Sequence, residues 1–316
     1  MDGTVRVAES FQMSPAALLT LNAVLAFMMF GVSLGLRPAD FVAVLRRPVA
    51  PATGLVAQFL LLPAITSLAT WWFEVSPGLA LGMILVSCCP GGTFSNVMTW
   101  IGRASVATSV SMTAVSSLAA VVMTPLNFAL YGGLNPHTRG LLEEIALPAG
   151  SMVMLVVLVL AMPMLLGMLV GARYPGFATR SERFFRSASL LVFLLFVLVS
   201  FSKHWDTAMQ VAGAVLFLVV AHNALAFLLG NLSGRVMGLP VAERRAVTME
   251  VGIQNSGLAL AVLFTFYPGA GEMLVVAGFW GVWHLVAGLA LAGYWNFSGR
   301  GVNWLRPSTE ETRKAL

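Results

Sequence analysis

The sequence predicts an all-α membrane protein that crosses the bilayer about nine times. Hydrophobic residues make up 58% of the 316 residues, only 10% are charged, and the mean hydropathy is +0.87. Because a soluble domain carries about 25% charged residues, little of this chain folds in water. Its apolar runs continue over roughly 20 residues, the length of a spanning helix, without the alternation typical of barrel strands.

Nine such runs, separated by short loops, divide residues 15–296 into predicted spans. Residues 1–14 are predicted to lie outside the cell, and the mostly polar tail 297–316 in the cytoplasm. The predicted spans are 15–35, 49–72, 77–101, 104–131, 145–171, 187–203, 209–234, 241–267 and 272–296.

The basic residues predict the orientation. If the C-terminus is cytoplasmic, 15 of the 18 Lys and Arg residues lie in inner loops, and the outer side holds only Arg6, Arg139 and Lys203. This asymmetry follows the positive-inside rule and predicts a multi-pass protein with its N-terminus outside, in a bacterial inner membrane. The net charge of +5 therefore reflects topology, and neither a nucleic acid nor an obligate protein partner is predicted.

The eighth span carries the strongest functional signal. Of the 13 acidic residues, only Glu250 falls inside a predicted span. An ionisable group in a bilayer is costly and usually functional, although a structural carboxylate between helices is the alternative. Polar residues beside glycines indicate a helix that breaks within the membrane. These neighbours are Gly252, Gln254, Asn255, Ser256 and Gly257.

The third span contains a second predicted interruption, at Pro90-Gly91-Gly92. Proline removes a backbone donor, and glycine permits dihedral angles that other residues resist. Alone, this segment is also typical of a kinked packing helix. Two interrupted spans in corresponding halves of a chain favour a transporter site between inverted repeats.

Further polar residues extend this pattern. Ser109 and Thr113 are four residues apart and share a helix face, whereas Ser111, Ser116 and Ser117 are interpreted as packing residues. Gln58 in the second span is equally compatible with an interhelical hydrogen bond and with a ligand role. One carboxylate among neutral oxygens suits Na⁺ better than Ca²⁺, and the sequence holds no Cys/His cluster for a transition metal. Half-helix N-termini favour an anionic substrate, so the residues predict a sodium-coupled secondary transporter without an organic cofactor.

The two interrupted segments resemble the signature segments of the bile acid:sodium symporter family. They are 88–93 with Ser95-Asn96, and 250–257. The resemblance covers about residues 20–298. Its supporting pieces are 29–36, Gln58-Phe59 with Pro63, His222-Asn223 and Trp283-His284.

The family implies a core domain with two crossed, broken helices and a flanking panel domain. The core would comprise about 49–131 and 209–296, and the panel about 15–35 and 145–203. It also implies two sodium ions behind the crossing and a substrate between core and panel. The first sodium site would use Ser95, Asn96, Ser109, Thr113 and Glu250. The second would use Gln58, Glu250, Gln254 and the backbone oxygens of Val251 and Ile253. The substrate-side candidates are Thr93, Asn255 and His284.

Three features depart from the family pattern. Bacterial relatives often have ten spans, and this chain seems to lack the first, as mammalian members do. Phe94 is bulky where small residues are usual, and Leu285 replaces an asparagine after His284. These changes bear on specificity, so the substrate stays open between bile acids and smaller pantoate-like or 2-keto acids.

Other functions remain as alternatives. A proton-coupled organic anion transporter would use Glu250 as the proton carrier, and His222 and His284 would be either proton-linked or packing residues. A sensor would bind its ligand without transport. An enzyme is disfavoured because Glu250 has no obvious nucleophile partner in the sequence.

Overall fold

The computed structural model describes residues 49–145, 161–181, 205–267 and 270–298, with scattered positions between 23 and 48 and between 157 and 195. Within those residues the secondary structure is helical apart from one isolated β-bridge. Four helices are long and apolar enough to cross a bilayer: Val49–Trp72, Val106–Leu134, Gly213–Val236 and Gly271–Ser298. The all-α membrane fold is thus confirmed. The count of nine remains a prediction, because the spans 15–35 and 187–203 and much of 145–171 lie outside the described residues.

The well-bounded helices are numbered here in chain order. The first, α1, contains a π-helical turn at Ala57–Leu61. The numbering runs α1 (Val49–Trp72), α2 (Pro77–Ser87), α3 (Phe94–Ile101), α4 (Val106–Leu134), α5 (Pro136–Ile145), α6 (Met162–Arg173), α7 (Trp205–Val236), α8 (Val241–Gly252), α9 (Ser256–Phe266) and α10 (Gly271–Ser298).

Both predicted interruptions are present. The predicted span 77–101 consists of α2 and α3, and the predicted span 241–267 consists of α8 and α9. The unwound segments meet in an antiparallel β-bridge between Gly91 and Gln254. In it the Asn255 N–H donates to the Pro90 carbonyl at 2.8 Å, and the Gly92 N–H donates to the Ile253 carbonyl at 2.7 Å. Each break therefore supplies partners for backbone groups that the other leaves free, as the absence of water in a bilayer requires.

Helix α4 shows how the fold meets lipid. Its exposed side presents Leu118, Val122, Leu126 and Leu130 at a spacing of four residues. Its hydroxyl and amide side chains are mostly buried. A helix on the surface of a soluble protein has the opposite arrangement, so the interior of this bundle is the polar side.

One helix was not predicted. The loop expected between the spans 104–131 and 145–171 contains α5, and α4 continues to Leu134. Asn135 lies between the two helices, and its Oδ1 accepts a hydrogen bond from the His137 N–H at 3.0 Å. The exposed face of α5 carries an ion pair between Arg139 and Glu143. Hydropathy alone missed α5 because its polar exposed face lowers the average.

Candidate cation site at the helix crossing

Glu250 lies near the end of α8, beside the crossing, and is completely buried. No Lys, Arg or His residue in the described part of the chain forms an ion pair with it. Transfer of a carboxylate out of water is expensive unless another group compensates the charge. The environment of Glu250 therefore shows what compensation the fold provides.

Three hydroxyl groups donate to the Glu250 carboxylate. The Ser95 Oγ donates to Oε2 at 2.5 Å, and the Ser109 Oγ donates to the same oxygen at 3.1 Å. The Thr113 Oγ1 donates to Oε1 at 2.7 Å. These side chains come from α3 and α4, so the carboxylate joins both helices to α8. Hydroxyl donors stabilise an anion, but they leave its net charge in place.

The same hydroxyl oxygens keep lone pairs that can coordinate a cation. Asn96 Oδ1 lies 3.3 Å from the Thr113 Oγ1. The five residues predicted for the first sodium site thus form one cluster, although their role as ligands remains a prediction. Thr99 was missed: its Oγ1 donates to the Ser109 Oγ at 3.3 Å. Its position one turn after Ser95 was the available signal.

The residues predicted for the second site meet at the crossing. The Gln58 Nε2 donates to the Cys89 carbonyl at 3.5 Å, and the Gln254 Nε2 donates to the Val251 carbonyl at 2.7 Å. Ile253 is buried, and its carbonyl accepts the Gly92 N–H. The structure therefore ties both glutamine side chains to the interrupted segments.

Three buried amide oxygens near the breaks have no hydrogen-bond partner in the described part of the chain. They are Oε1 of Gln58, Oε1 of Gln254 and Oδ1 of Asn223. The Asn223 Nδ2 donates to the Gly252 carbonyl at 2.7 Å. A buried acceptor without a donor costs free energy, and a cation would satisfy it. Sequence reasoning did not place Asn223 at the site, although a His-Asn pair within an apolar run was the available signal.

Gly91 brings the first break against the carboxylate. A Cβ atom at this position would lie 2.2 Å from the Glu250 Oε1 and 2.6 Å from its Cδ. Real Cβ contacts are essentially never this short, so any larger residue would displace the carboxylate or the break. The glycine is needed here for close approach.

The substrate-side candidates occupy two kinds of position. Thr93 and Asn255 immediately precede α3 and α9, and both are half-buried. The Asn255 Oδ1 caps α9 by accepting the Leu258 N–H at 3.0 Å. His284 is buried within α10, and its Nδ1 has no partner among the described residues.

The two departures from the family pattern fall at different places. Phe94 begins α3 at the crossing and is half-buried. Leu285 packs against a small apolar cluster that includes Met98 and Met249. The Leu285 side chain therefore contributes to packing behind α3 and α8.

The fold and site define a helical membrane protein in which two broken helices bring one unpaired carboxylate and several neutral oxygens together, an arrangement typical of ion-coupled secondary transporters. The chain belongs to the sodium bile acid symporter family, whose model matches residues 22–211. This match confirms the resemblance seen in the signature segments.

Relatives match over most of the chain. The uncharacterized sodium-dependent transporter YocS of Bacillus subtilis is 29% identical over 272 residues, which cover 86% of this chain and 81% of that protein. The probable sodium/metabolite cotransporter BASS2 of Oryza sativa is 30% identical over 88% of this chain and 64% of its own length. The chain therefore spans less than two thirds of that plant relative. The human ileal sodium/bile acid cotransporter is 27% identical over 78% of this chain and 70% of its own length.

Proposed function

We propose that the protein is a sodium-coupled symporter of an organic anion that binds two Na⁺ ions at the helix crossing. One observation carries this proposal: Glu250 is fully buried without a basic partner among the described residues, beside neutral oxygens. The first ion would bind Ser95, Asn96, Ser109, Thr113 and Glu250. The second would bind Gln58, Glu250, Gln254 and the carbonyls of Val251 and Ile253.

Sodium fits this set of donors. Hard cations take oxygen ligands, and a single carboxylate supplies too little charge for a divalent ion. The unpartnered oxygens of Gln58 and Gln254 support a cation in the second position. The sodium dependence printed in the names of YocS and the human ileal cotransporter agrees with this assignment.

An anionic substrate fits the same crossing. The N-termini of α3 and α9 begin beside it, and a helix N-terminus carries partial positive charge. Thr93 and Asn255 stand at these termini and are the proposed substrate contacts, with His284 as a further candidate. The substrate would be bile-acid-like or a smaller carboxylate, such as a pantoate-like or 2-keto acid. Phe94 would narrow the space available to it.

Transport would proceed by alternating access. Two ions entering from outside would fix the half-helices, and the core (about 49–131 and 209–296) would then rock against the panel (about 15–35 and 145–203). Coupling requires that sodium and substrate prefer the same conformation. The protein would lie in a bacterial inner membrane with its N-terminus outside. With two sodium ions and a monovalent anion, each cycle moves one positive charge, favoured by roughly 2.3 kcal/mol per 100 mV.

Reconstituted vesicles test this function. Taurocholate, pantoate and pyruvate would be offered separately under an inward sodium gradient, with and without an inside-negative potential. We expect at least one to accumulate only with sodium, and faster with the potential. Accumulation driven equally well by a proton gradient in sodium-free buffer would favour proton coupling, and binding without accumulation would favour a sensor.

Replacing Thr113 with valine tests the first site. Valine keeps the shape but removes the hydroxyl that donates to the Glu250 Oε1. A hydrogen bond to a charged group contributes about 1.5–3 kcal/mol, so the sodium concentration for half-maximal stabilisation should rise roughly 10- to 100-fold. The matched control is Ser116→Ala, whose buried hydroxyl donates to the Thr113 carbonyl instead. An equal change in both variants would remove Thr113 from the site.

A further inference from the structure

The π-helical turn of α1 contains Gln58. It spans Ala57–Leu61, and the Leu62 N–H donates to the Ala57 carbonyl five residues earlier. A π-turn holds more residues per turn than an α-helix, and such turns frequently occur at functional sites. It therefore sets the rotation of Gln58 relative to the second half of α1.

Pro63 leaves a carbonyl without its usual partner next to this turn. In an α-helix the N–H of residue 63 would donate to the Phe59 carbonyl, and proline has no N–H. Phe59 is buried, so water cannot replace the missing donor. Another group must therefore satisfy the Phe59 carbonyl, or the turn must rearrange.

Asn127 of α4 provides the donor. Its Nδ2 donates to the Phe59 carbonyl at 2.7 Å, and its side chain is buried. One turn further along α4, the Tyr131 hydroxyl donates to the Leu60 carbonyl at 3.3 Å. Two carbonyls of the π-turn are thus held by side chains of α4.

The same helix satisfies the other interrupted segments. The Thr124 Oγ1 donates to the Cys88 carbonyl at 2.8 Å, where α2 ends. Ser109 and Thr113 donate to Glu250. Along its length, α4 contacts the carboxylate of the first proposed ion site and the turn that carries Gln58 of the second.

We propose that Asn127 is a positioning residue that holds the π-turn so that the Gln58 Oε1 faces the second sodium ion. This inference rests on the proposed function. Without the Asn127 amide, the Phe59 carbonyl is buried and unpartnered, and the π-turn relaxes to satisfy it. Gln58 then rotates away from the second site, while the Ser109 and Thr113 contacts of the first site stay in place.

Binding of ²²Na⁺ alone to the purified full chain tests this role in Asn127→Leu. We expect two ions per native chain and one per variant, with the affinity of the remaining ion unchanged. The matched control is Asn135→Leu: Asn135 also lies at α4, and its Nδ2 donates to the Ser67 carbonyl of α1 at 3.0 Å, away from Gln58. Both variants should unfold at a lower temperature in KCl, but the control should still bind two ions.

Pro63→Ala provides a second variant that keeps Asn127. Alanine restores an N–H that can donate to the Phe59 carbonyl within the helix, so we expect the π-turn to become regular and one ion to be lost. Two ions bound to Asn127→Leu, or to Pro63→Ala if the first variant does not fold, would overturn the positioning role alone. A native chain that binds fewer than two ions would overturn the proposed pair of sodium sites and this inference with it.

Discussion

Replacing Glu250 with glutamine is expected to abolish sodium-dependent uptake while the protein still folds. Glutamine keeps the size of the side chain but removes the anionic ligand shared by both proposed sodium ions. At about 4 Å and an effective dielectric constant of about 20, that attraction is about 4 kcal/mol. Its loss corresponds to roughly 1,000-fold weaker sodium binding. Uptake under an inward sodium gradient would measure the effect.

The matched control is Glu272→Gln. Glu272 lies in the first turn of α10 and accepts a hydrogen bond from the exposed Ser76 hydroxyl at 3.2 Å. This control should therefore keep the native sodium dependence. If Glu250→Gln retained native uptake with an unchanged requirement for sodium, the carboxylate would not be the ion ligand.

Replacing Gly91 with alanine should impair sodium binding nearly as strongly, without altering any proposed ligand. The added Cβ would lie 2.2 Å from the Glu250 Oε1, so the carboxylate or the β-bridge to Gln254 must shift. Either movement separates oxygens that the two sodium sites share. We expect the sodium concentration for half-maximal uptake to rise by at least 10-fold, a cost of about 1.4 kcal/mol.

Gly293→Ala controls for the substitution itself. A Cβ at this position of α10 meets no atom within 4 Å, and alanine favours a helix by up to about 1 kcal/mol relative to glycine. This variant should therefore be at least as stable as the native chain, with the same sodium profile. A native sodium profile in Gly91→Ala would show that the close approach at the crossing does not shape the site.

The interruptions of the two broken helices were predictable because they violate local rules of a spanning helix. Pro90 removes a donor, the glycines loosen the chain, and Glu250 brings a charge into an apolar run. The neighbourhood of Ser109 and Thr113 followed from their spacing on one helix face. Each of these signals lies within a few residues of sequence.

The contacts between the two halves were not predictable from such local signals. The bridge between Gly91 and Gln254 joins opposite halves of the chain. The bond from Asn127 to the Phe59 carbonyl depends on how α4 packs against α1. Pro63 predicts that one carbonyl loses its donor, but only the packed structure shows which side chain replaces it. The carried-over ligand sets depended on the family resemblance for the same reason.

The sodium assignment is tested most directly by the unfolding midpoint of the purified protein in NaCl and in KCl at equal ionic strength, with Glu250→Gln measured alongside. A ligand at 100 times its dissociation constant stabilises the folded state by about 2.7 kcal/mol. We predict a higher midpoint in NaCl for the native chain and equal midpoints for the variant. Equal midpoints for the native chain, or a sodium shift that persists in Glu250→Gln, would contradict a sodium site at the helix crossing.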